Sequence, residues 1–186
     1  MLVVVDMVNG FIKEGQLSDK GISHITDEIV RLINLFKNEN MPIIAFRDCH
    51  CEDAPELSDF PKHCLKGSYE SEFIDEIKFY ENDFLIFDKN CTDGFMAPGF
   101  VDYMKSMPEI SEIVIVGCCT DICVMNIATS LKNFYNQMNE KVRIIVPQNA
   151  VETYDIPHVH ARPYWSDVAF RFMRQAGVEV IEGYNF

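Results

Sequence analysis

At 186 residues the chain is long enough for one domain with a full core and short for two, so residues 1–186 are read as a single domain. A net charge of −13 argues against nucleic acid or an anionic membrane surface as a partner, since either calls for a basic patch. No apolar stretch approaches the ~20 residues that cross a bilayer, and the start lacks the basic region and cleavage site of a signal peptide, so a cytoplasmic protein is expected. The 7 cysteines, odd in number and dispersed, agree with a reducing compartment better than with a disulfide framework.

The first predicted strand covers residues 2–6, where Leu2-Val3-Val4-Val5 stops on Asp6 before a turn at Asn9-Gly10. A helix follows over 22–38, with Ile22, Ile25, Ile29, Leu32, Ile33 and Phe36 forming an apolar stripe. The second strand, 42–46, runs into Arg47-Asp48-Cys49-His50-Cys51, and a helical stretch is expected over 70–79. The third strand, 84–87, leads into Asp88-Lys89-Asn90 ahead of a helix near 98–106. The fourth, 112–117, is β-branched and continuous until Gly117, as in a strand buried on both faces; a helix over 121–137 comes next. Strands at 142–147 and 178–181 flank a last helix at 163–176, which Gly177 ends. This alternation predicts an α/β fold of three layers, α/β/α, with a six-stranded parallel sheet and right-handed crossovers.

Three strand ends carry complementary chemistry. Cys123 falls in the first turn of a helix, where free backbone N–H groups and the helix dipole stabilise a thiolate. Asp6 and Lys89 reach the carboxyl edge of the same sheet, where open α/β folds bind their ligands. Singly, a cysteine here reads as a small buried hydrophobe and the two charges as solvated loop residues. Together they form a nucleophile, a base and a cation. On Asp6 in VVVDMVNGF, Lys89 in FDKNCTDGF and Cys123 in VGCCTDICV, the chain resembles the isochorismatase-like cysteine hydrolases, and within them the nicotinamidase and pyrazinamidase group.

After the second strand, Asp48 and His50 share one side of extended chain and Cys49 and Cys51 the other, with His63 downstream able to close a site. This resembles the metal motif of that group, an Asp-x-His pair followed by a Pro-x-His segment. One carboxylate and two imidazoles suit a single divalent ion, zinc first, iron or manganese otherwise, with positions left open. The resemblance implies a further ligand from the intervening loop, for which Glu56 is the best positional match, ahead of Asp53 and Asp59. A structural zinc site built from Cys49, His50, Cys51, His63 and Cys64 lacks the two-residue gaps that wrap one ion.

The resemblance further implies a strand order of 3-2-1-4-5-6, with Asp6 as proton acceptor for Cys123 and Lys89 stabilising their shared charge. It implies an oxyanion site from the backbone N–H groups of Cys119 and Cys123, and a cis peptide at Cys118–Cys119. Phe11 and Phe60 would hold the substrate ring, with Phe95 lining the pocket. The implied reaction is conversion of nicotinamide to nicotinate and ammonia through a thioester on Cys123, in a homo-oligomer without nucleic-acid or membrane partners. Phe60 stands where many relatives have tryptophan, Cys118 and Cys119 replace apolar and small residues, and Asn149 replaces an aspartate. The stretch from His158 to Trp165 is also atypical; it reads as a partly exposed loop, with Tyr164 and Trp165 available for a subunit contact. The same residues allow two other readings: a metal-free relative acting on an N-carbamoyl or ureido compound, and an inactive member serving as a binding module.

Overall fold

The run Leu2–Val5 forms strand β1 and has no exposed face, because in the computed structural model, which describes residues 1–107 and 110–186, it lies in the middle of a parallel sheet. Its neighbours are β2 (Ile43–Asp48), paired Leu2 to Ile43, and β4 (Glu112–Cys118), paired Leu2 to Val114. Outward from these lie β3 (Leu85–Lys89), β5 (Arg143–Pro147) and β7 (Glu179–Ile181), giving the order β3-β2-β1-β4-β5-β7. The expected order is thus present, with one addition. A two-residue strand, β6 (Val151–Glu152), pairs with Gly117 and Cys118 where β5 no longer runs alongside β4. Two residues are too few for any periodicity to announce.

Strand alternation divides the core. Leu2 and Val4 pack on one face with Ile29, Leu32, Ile33 and Phe36 of α2 (Thr26–Asn38). Val3 and Val5 face the other side with Ile44 and Phe46 of β2 and Phe100 of α4 (Phe100–Ser106). Ile127 and Leu131 of α5 (Met125–Met138) and Met173 of α6 (Arg162–Gln175) complete that layer. Helices on both faces of a parallel sheet are what βαβ crossovers produce.

Several helix expectations need correction. The predicted helix at 22–38 is a 3₁₀ segment, Lys20–Ile25, leading into α2. The one at 70–79 shrinks to the turn Tyr69–Ser71 and one turn of helix, α3 (Asp75–Lys78). Its middle is extended because Phe73 bridges Val8 and the Ile74 N–H donates to the Met7 carbonyl at 3.0 Å. A further one-turn helix, α1 (Asn9–Ile12), comes after β1. The segment before α5 is not regular α-helix but a π turn, Thr120–Val124, with two N–H groups, of Ile122 and Val124, both donating to the Cys119 carbonyl. Among the described residues no helix is long and apolar enough to cross a membrane.

Gly117 permits the central strands to meet. Its φ of 118° lies where L side chains are strained, and an added Cβ would collide with the backbone of Val5. Gly117→Ala is expected to destabilise the fold by about 2 kcal/mol or more, read as a lower urea midpoint at unchanged m-value.

Candidate active site

The sheet register builds the site's charged centre. Asp48, the last residue of β2, is paired in register with Lys89, the last residue of β3. Lys89 Nζ donates to Asp48 Oδ1 at 2.7 Å and lies 2.9 Å from Asp6 Oδ2 and 3.7 Å from the Cys123 sulfur. Asp6 sits one residue beyond β1 in the left-handed region, φ 51°, a conformation that turns the chain sharply out of the strand. Asp6, Asp48, Lys89 and Cys123 are all buried. Lys89 holds Asp6 as an ion pair and the Cys123 thiol acts on the same carboxyl, whose oxygens accept no well-aligned hydrogen bond. That leaves Asp6 able to accept a proton.

Burial pushes the Asp6 carboxyl up to about 6, with Lys89 opposing the rise. For Asp48 burial acts in the same direction, but Lys89 first and then the two imidazoles of His50 and His63 win and hold it well below the usual carboxylate range. Burial works against the Lys89 ammonium, yet Asp48 and Asp6 keep it well above its ordinary value. The Cys123 thiol is raised well above its ordinary range, by burial first and then by Asp6 and Asp48, with Lys89 offsetting part. Burial thus works against the stabilisation that a helix N-terminus offers a thiolate. At neutral pH these directions favour a thiol beside a mostly ionised carboxylate.

A second cluster adjoins the first. Asp48 Oδ2, His50 Nε2 and His63 Nε2 form a triangle with sides of 2.9, 3.0 and 3.1 Å. Each imidazole is oriented by its other nitrogen, His50 Nδ1 lying 3.2 Å from Asn90 Oδ1 and His63 Nδ1 2.8 Å from the Pro61 carbonyl. Both acceptors call for an N–H at Nδ1, which turns two Nε2 lone pairs and a carboxylate oxygen toward one point. Such a set repels itself unless a proton or a cation sits among them, and one ion with bonds of about 2.0–2.1 Å reaches all three. In the absence of an ion a proton serves: burial opposes it, but Asp48 and the Pro61 carbonyl raise the His63 pKa. Among the described residues this is the one group of three or more His, Cys, Asp or Glu side chains close enough to hold a metal. Cys49, Cys51 and Cys64 stay outside it.

Of the acids in the loop after β2, Glu56 comes nearest, its Oε1 3.6 Å from His50 Nε2 and its Oε2 accepting from the Thr92 N–H at 2.9 Å. Asp53 and Asp59 are exposed and lie away from the cluster.

Both clusters open into one cavity of about 540 Å³, within the range of small-molecule sites. Cys119, Cys123, Asp48, Glu56 and His63 line it, with Phe11 and Phe60 among its apolar walls. Phe11 lies 5.6 Å and Phe60 6.3 Å, ring centre to ring centre, from His63. Phe95 does not reach the cavity: the turn Gly94–Met96, capped by Asp93, packs it on Phe100 and Phe134 instead. The Cys118–Cys119 peptide is cis.

Sequence reasoning missed the wall formed by Tyr154, Asp155 and Ile156, as well as Leu17 and Ile122. It also missed Asn90, whose Oδ1 meets His50 and the Cys51 N–H at 3.0 Å. Only Asn90 carried a signal, its position directly after Lys89. The stretch 158–165 is not uniformly exposed: His158 is, while His160 is buried against Trp165. Asn149 is at the surface, bonded to Glu28 at 3.1 Å.

Comparison with known proteins agrees with this geometry. A model of the isochorismatase domain matches residues 1–183. Nicotinamidase 1 of Arabidopsis thaliana is 31% identical over 212 aligned positions, taking in 100% of this chain and 86% of the relative. The crystal structure of N-carbamoylsarcosine amidase from Thermoplasma acidophilum superposes with a TM-score of 0.80 at 28% identity, covering 100% of this chain and 96% of that one. Nicotinamidase from Bacillus subtilis does so with a TM-score of 0.78 at 26% identity, covering 97% and 98%.

Removing the shared cation should leave two buried carboxylates facing each other. Lys89→Met is expected to cost about 3–5 kcal/mol in urea unfolding at neutral pH, and adding Asp6→Asn to it to recover part of that loss.

Proposed function

The chain belongs to the isochorismatase family, and from that premise we propose that it is a metal-containing cysteine amidohydrolase converting nicotinamide to nicotinate and ammonia. The observation that carries the reading is that Cys123 and the Asp48 and His63 members of the metal cluster open into the same cavity. A thiol nucleophile and a cation site facing one small space suit a substrate with a reactive carbonyl at one end and a basic ring atom at the other.

The cavity's charge supports a neutral amide. Its charged lining consists of Asp19, Asp48, Glu56 and Asp155, and among the described residues no lysine or arginine joins them. Asp19 is paired with Arg162 at 2.5 Å and Asp48 with Lys89 at 2.7 Å, which leaves Glu56 and Asp155 to set the sign. A divalent ion held by Asp48, His50 and His63 would roughly balance those two acids, leaving no surplus charge in the lining that calls for a charged substrate. Phe11 and Phe60 offer apolar walls for a flat ring.

In the proposed reaction Asp6 takes the proton of Cys123 as sulfur attacks the carboxamide carbon. Lys89 and the backbone N–H groups of Cys119 and Cys123 stabilise the negative charge that passes from sulfur to the carbonyl oxygen. Asp6 returns its proton to the departing nitrogen, ammonia leaves, and a thioester remains on Cys123. Asp6 then takes a proton from the attacking water, the C–S bond breaks, Asp6 returns that proton to the sulfur, and the acid formed loses its own proton to solvent and departs as nicotinate. Asp48, His50 and His63 would hold a divalent ion, zinc, iron or manganese, which when bound supplies an electropositive anchor for the ring nitrogen, directly or through a water.

The likeness to N-carbamoylsarcosine amidase supports a second reading, an amidase for an N-carbamoyl or ureido compound. The test is ammonia release from nicotinamide and from N-carbamoyl amino acids, with metal content measured alongside. Turnover of nicotinamide, lost by at least about 10⁴-fold in Cys123→Ala with metal retained, is the expected result. His63→Ala should lower bound metal well below one equivalent. No turnover of nicotinamide by folded, metal-loaded protein would sink the substrate assignment. A Cys123 inert to alkylation would favour a binding module.

The pH profile is set by the base. Asp6 with a pKa raised to about 6 must be ionised to accept the thiol proton. The ratio kcat/KM should therefore rise with unit slope toward about pH 6 and level off above it.

A further inference from the structure

The segment between His158 and Trp165, which the chemistry above does not use, supplies a buried histidine to a second polar pair. The chain turns back on itself through a bridge between Ile156 and His160, closed by the His160 N–H to the Ile156 carbonyl at 2.8 Å. This leaves His158 exposed and buries His160 to 7%. His160 Nε2 lies 2.8 Å from Asp121 Oδ2 and its Nδ1 3.0 Å from the Tyr154 carbonyl. The ring stacks on Tyr154, with centres 3.9 Å apart and planes inclined by 16°, and on Trp165 at 5.2 Å and 1°. The other oxygen of Asp121 accepts from the Thr153 hydroxyl at 2.5 Å.

Asp121 belongs to the π turn Thr120–Val124, which carries Cys123. A π turn is a rare and poorly packed way to wind backbone, so its shape depends on what holds it from outside. Thr120 Oγ1 has no hydrogen-bond partner, so the polar side-chain anchor of the turn is Asp121. Both groups that grip it come from residues 153–160, the same stretch that supplies Tyr154, Asp155 and Ile156 to the cavity wall.

We propose that His160 is a positioning residue, tying the cavity wall at 154–156 to the nucleophile turn through Asp121, so that Cys123 and the N–H groups of that turn stay in register with bound substrate. The choice of substrate rests on the function proposed above; the clamp itself does not. An oxyanion contact tightens only in the transition state, so a displaced turn lowers kcat while leaving ground-state binding largely intact. His160 touches no reacting atom.

Four proteins test this: His160→Phe, which keeps a flat ring but loses the contact with Asp121; His160→Gln, whose amide N–H can donate to Asp121 in place of the ring; Asp121→Ala; and the double variant His160→Phe with Asp121→Ala. Two rates are measured, ammonia release from nicotinamide and alkylation of Cys123 by iodoacetamide, with circular dichroism as the check on folding. For His160→Phe the expected result is a kcat lower by about 10- to 100-fold with KM within about threefold, and alkylation slowed by at least about threefold. His160→Gln should recover most of both losses. The double variant should be no worse than the poorer single one, because the two residues act as one unit. Wild-type rates in folded His160→Phe, a loss confined to KM, no recovery by His160→Gln, or additive losses would each overturn the proposal. Should His160→Phe not fold, His160→Gln and Asp121→Ala carry the test: a kcat loss in the alanine variant with near wild-type rates in the glutamine variant supports the clamp, and unchanged rates in Asp121→Ala overturn it. If the wild type does not act on nicotinamide, the substrate reading fails and alkylation alone decides on the clamp.

Discussion

Lys89 lies between Asp6 and Asp48 with its ammonium within 3 Å of one oxygen of each, and the rest of the site depends on that single buried cation. Two carboxylates at neighbouring strand ends, shielded from water, would otherwise push one another toward protonation or toward solvent. The cation resolves them unequally. Asp48 receives a hydrogen bond from Lys89 and contacts from two imidazoles and stays ionised, whereas at Asp6 burial outweighs the contacts with Lys89 and Cys123 and keeps the pKa elevated. One lysine thus makes an acceptor for protons out of one acid and a fixed negative group out of the other.

That division explains how the two clusters coexist. Asp48 turns Oδ1 to Lys89 and Oδ2 to the histidines, so it belongs to both, and the register of β2 against β3 sets the geometry. The histidines reach it from different directions. His50 lies just beyond β2, while His63 is brought in because the His50 N–H bonds the Cys64 carbonyl and the Lys66 N–H bonds the His50 carbonyl, each at 2.9 Å. Short-range sequence and a single bridge suffice to assemble the triangle.

The features that could be read from sequence were those written in local periodicity. The β-branched runs marked the strands, and residues that end or follow a strand in a parallel sheet stand near its carboxyl edge; the family resemblance added the strand order that gathers Asp6, Lys89, Cys123 and Asp48 there. The features that could not be read were decided at long range. Phe73 and Ile74 have helical neighbours but pair with Met7 and Val8, which empties the middle of the expected helix. Phe95 sits beside Thr92 of the cavity rim, yet a turn capped by Asp93 sends it into the core. Asp121 and His160 are 39 residues apart, and neither residue alone suggests the other.

The cavity's parts also differ in origin. Of the groups proposed to react or to hold a metal, Asp48 and Lys89 end strands and Asp6 follows one directly, held by the sheet register and by one another, while Cys123 stands on the turn after β4. The walls come from elsewhere: Phe11 and Leu17 from the segment after β1, Glu56 and Phe60 from the loop after β2, Tyr154 and Ile156 from the loop after β6. Side chains on such loops can be exchanged without shifting a strand. A redesign of substrate range could therefore be confined to Phe11, Leu17 and Phe60, with the reaction centre carried over whole, whereas Tyr154, stacked on His160, is coupled to the turn that carries Cys123.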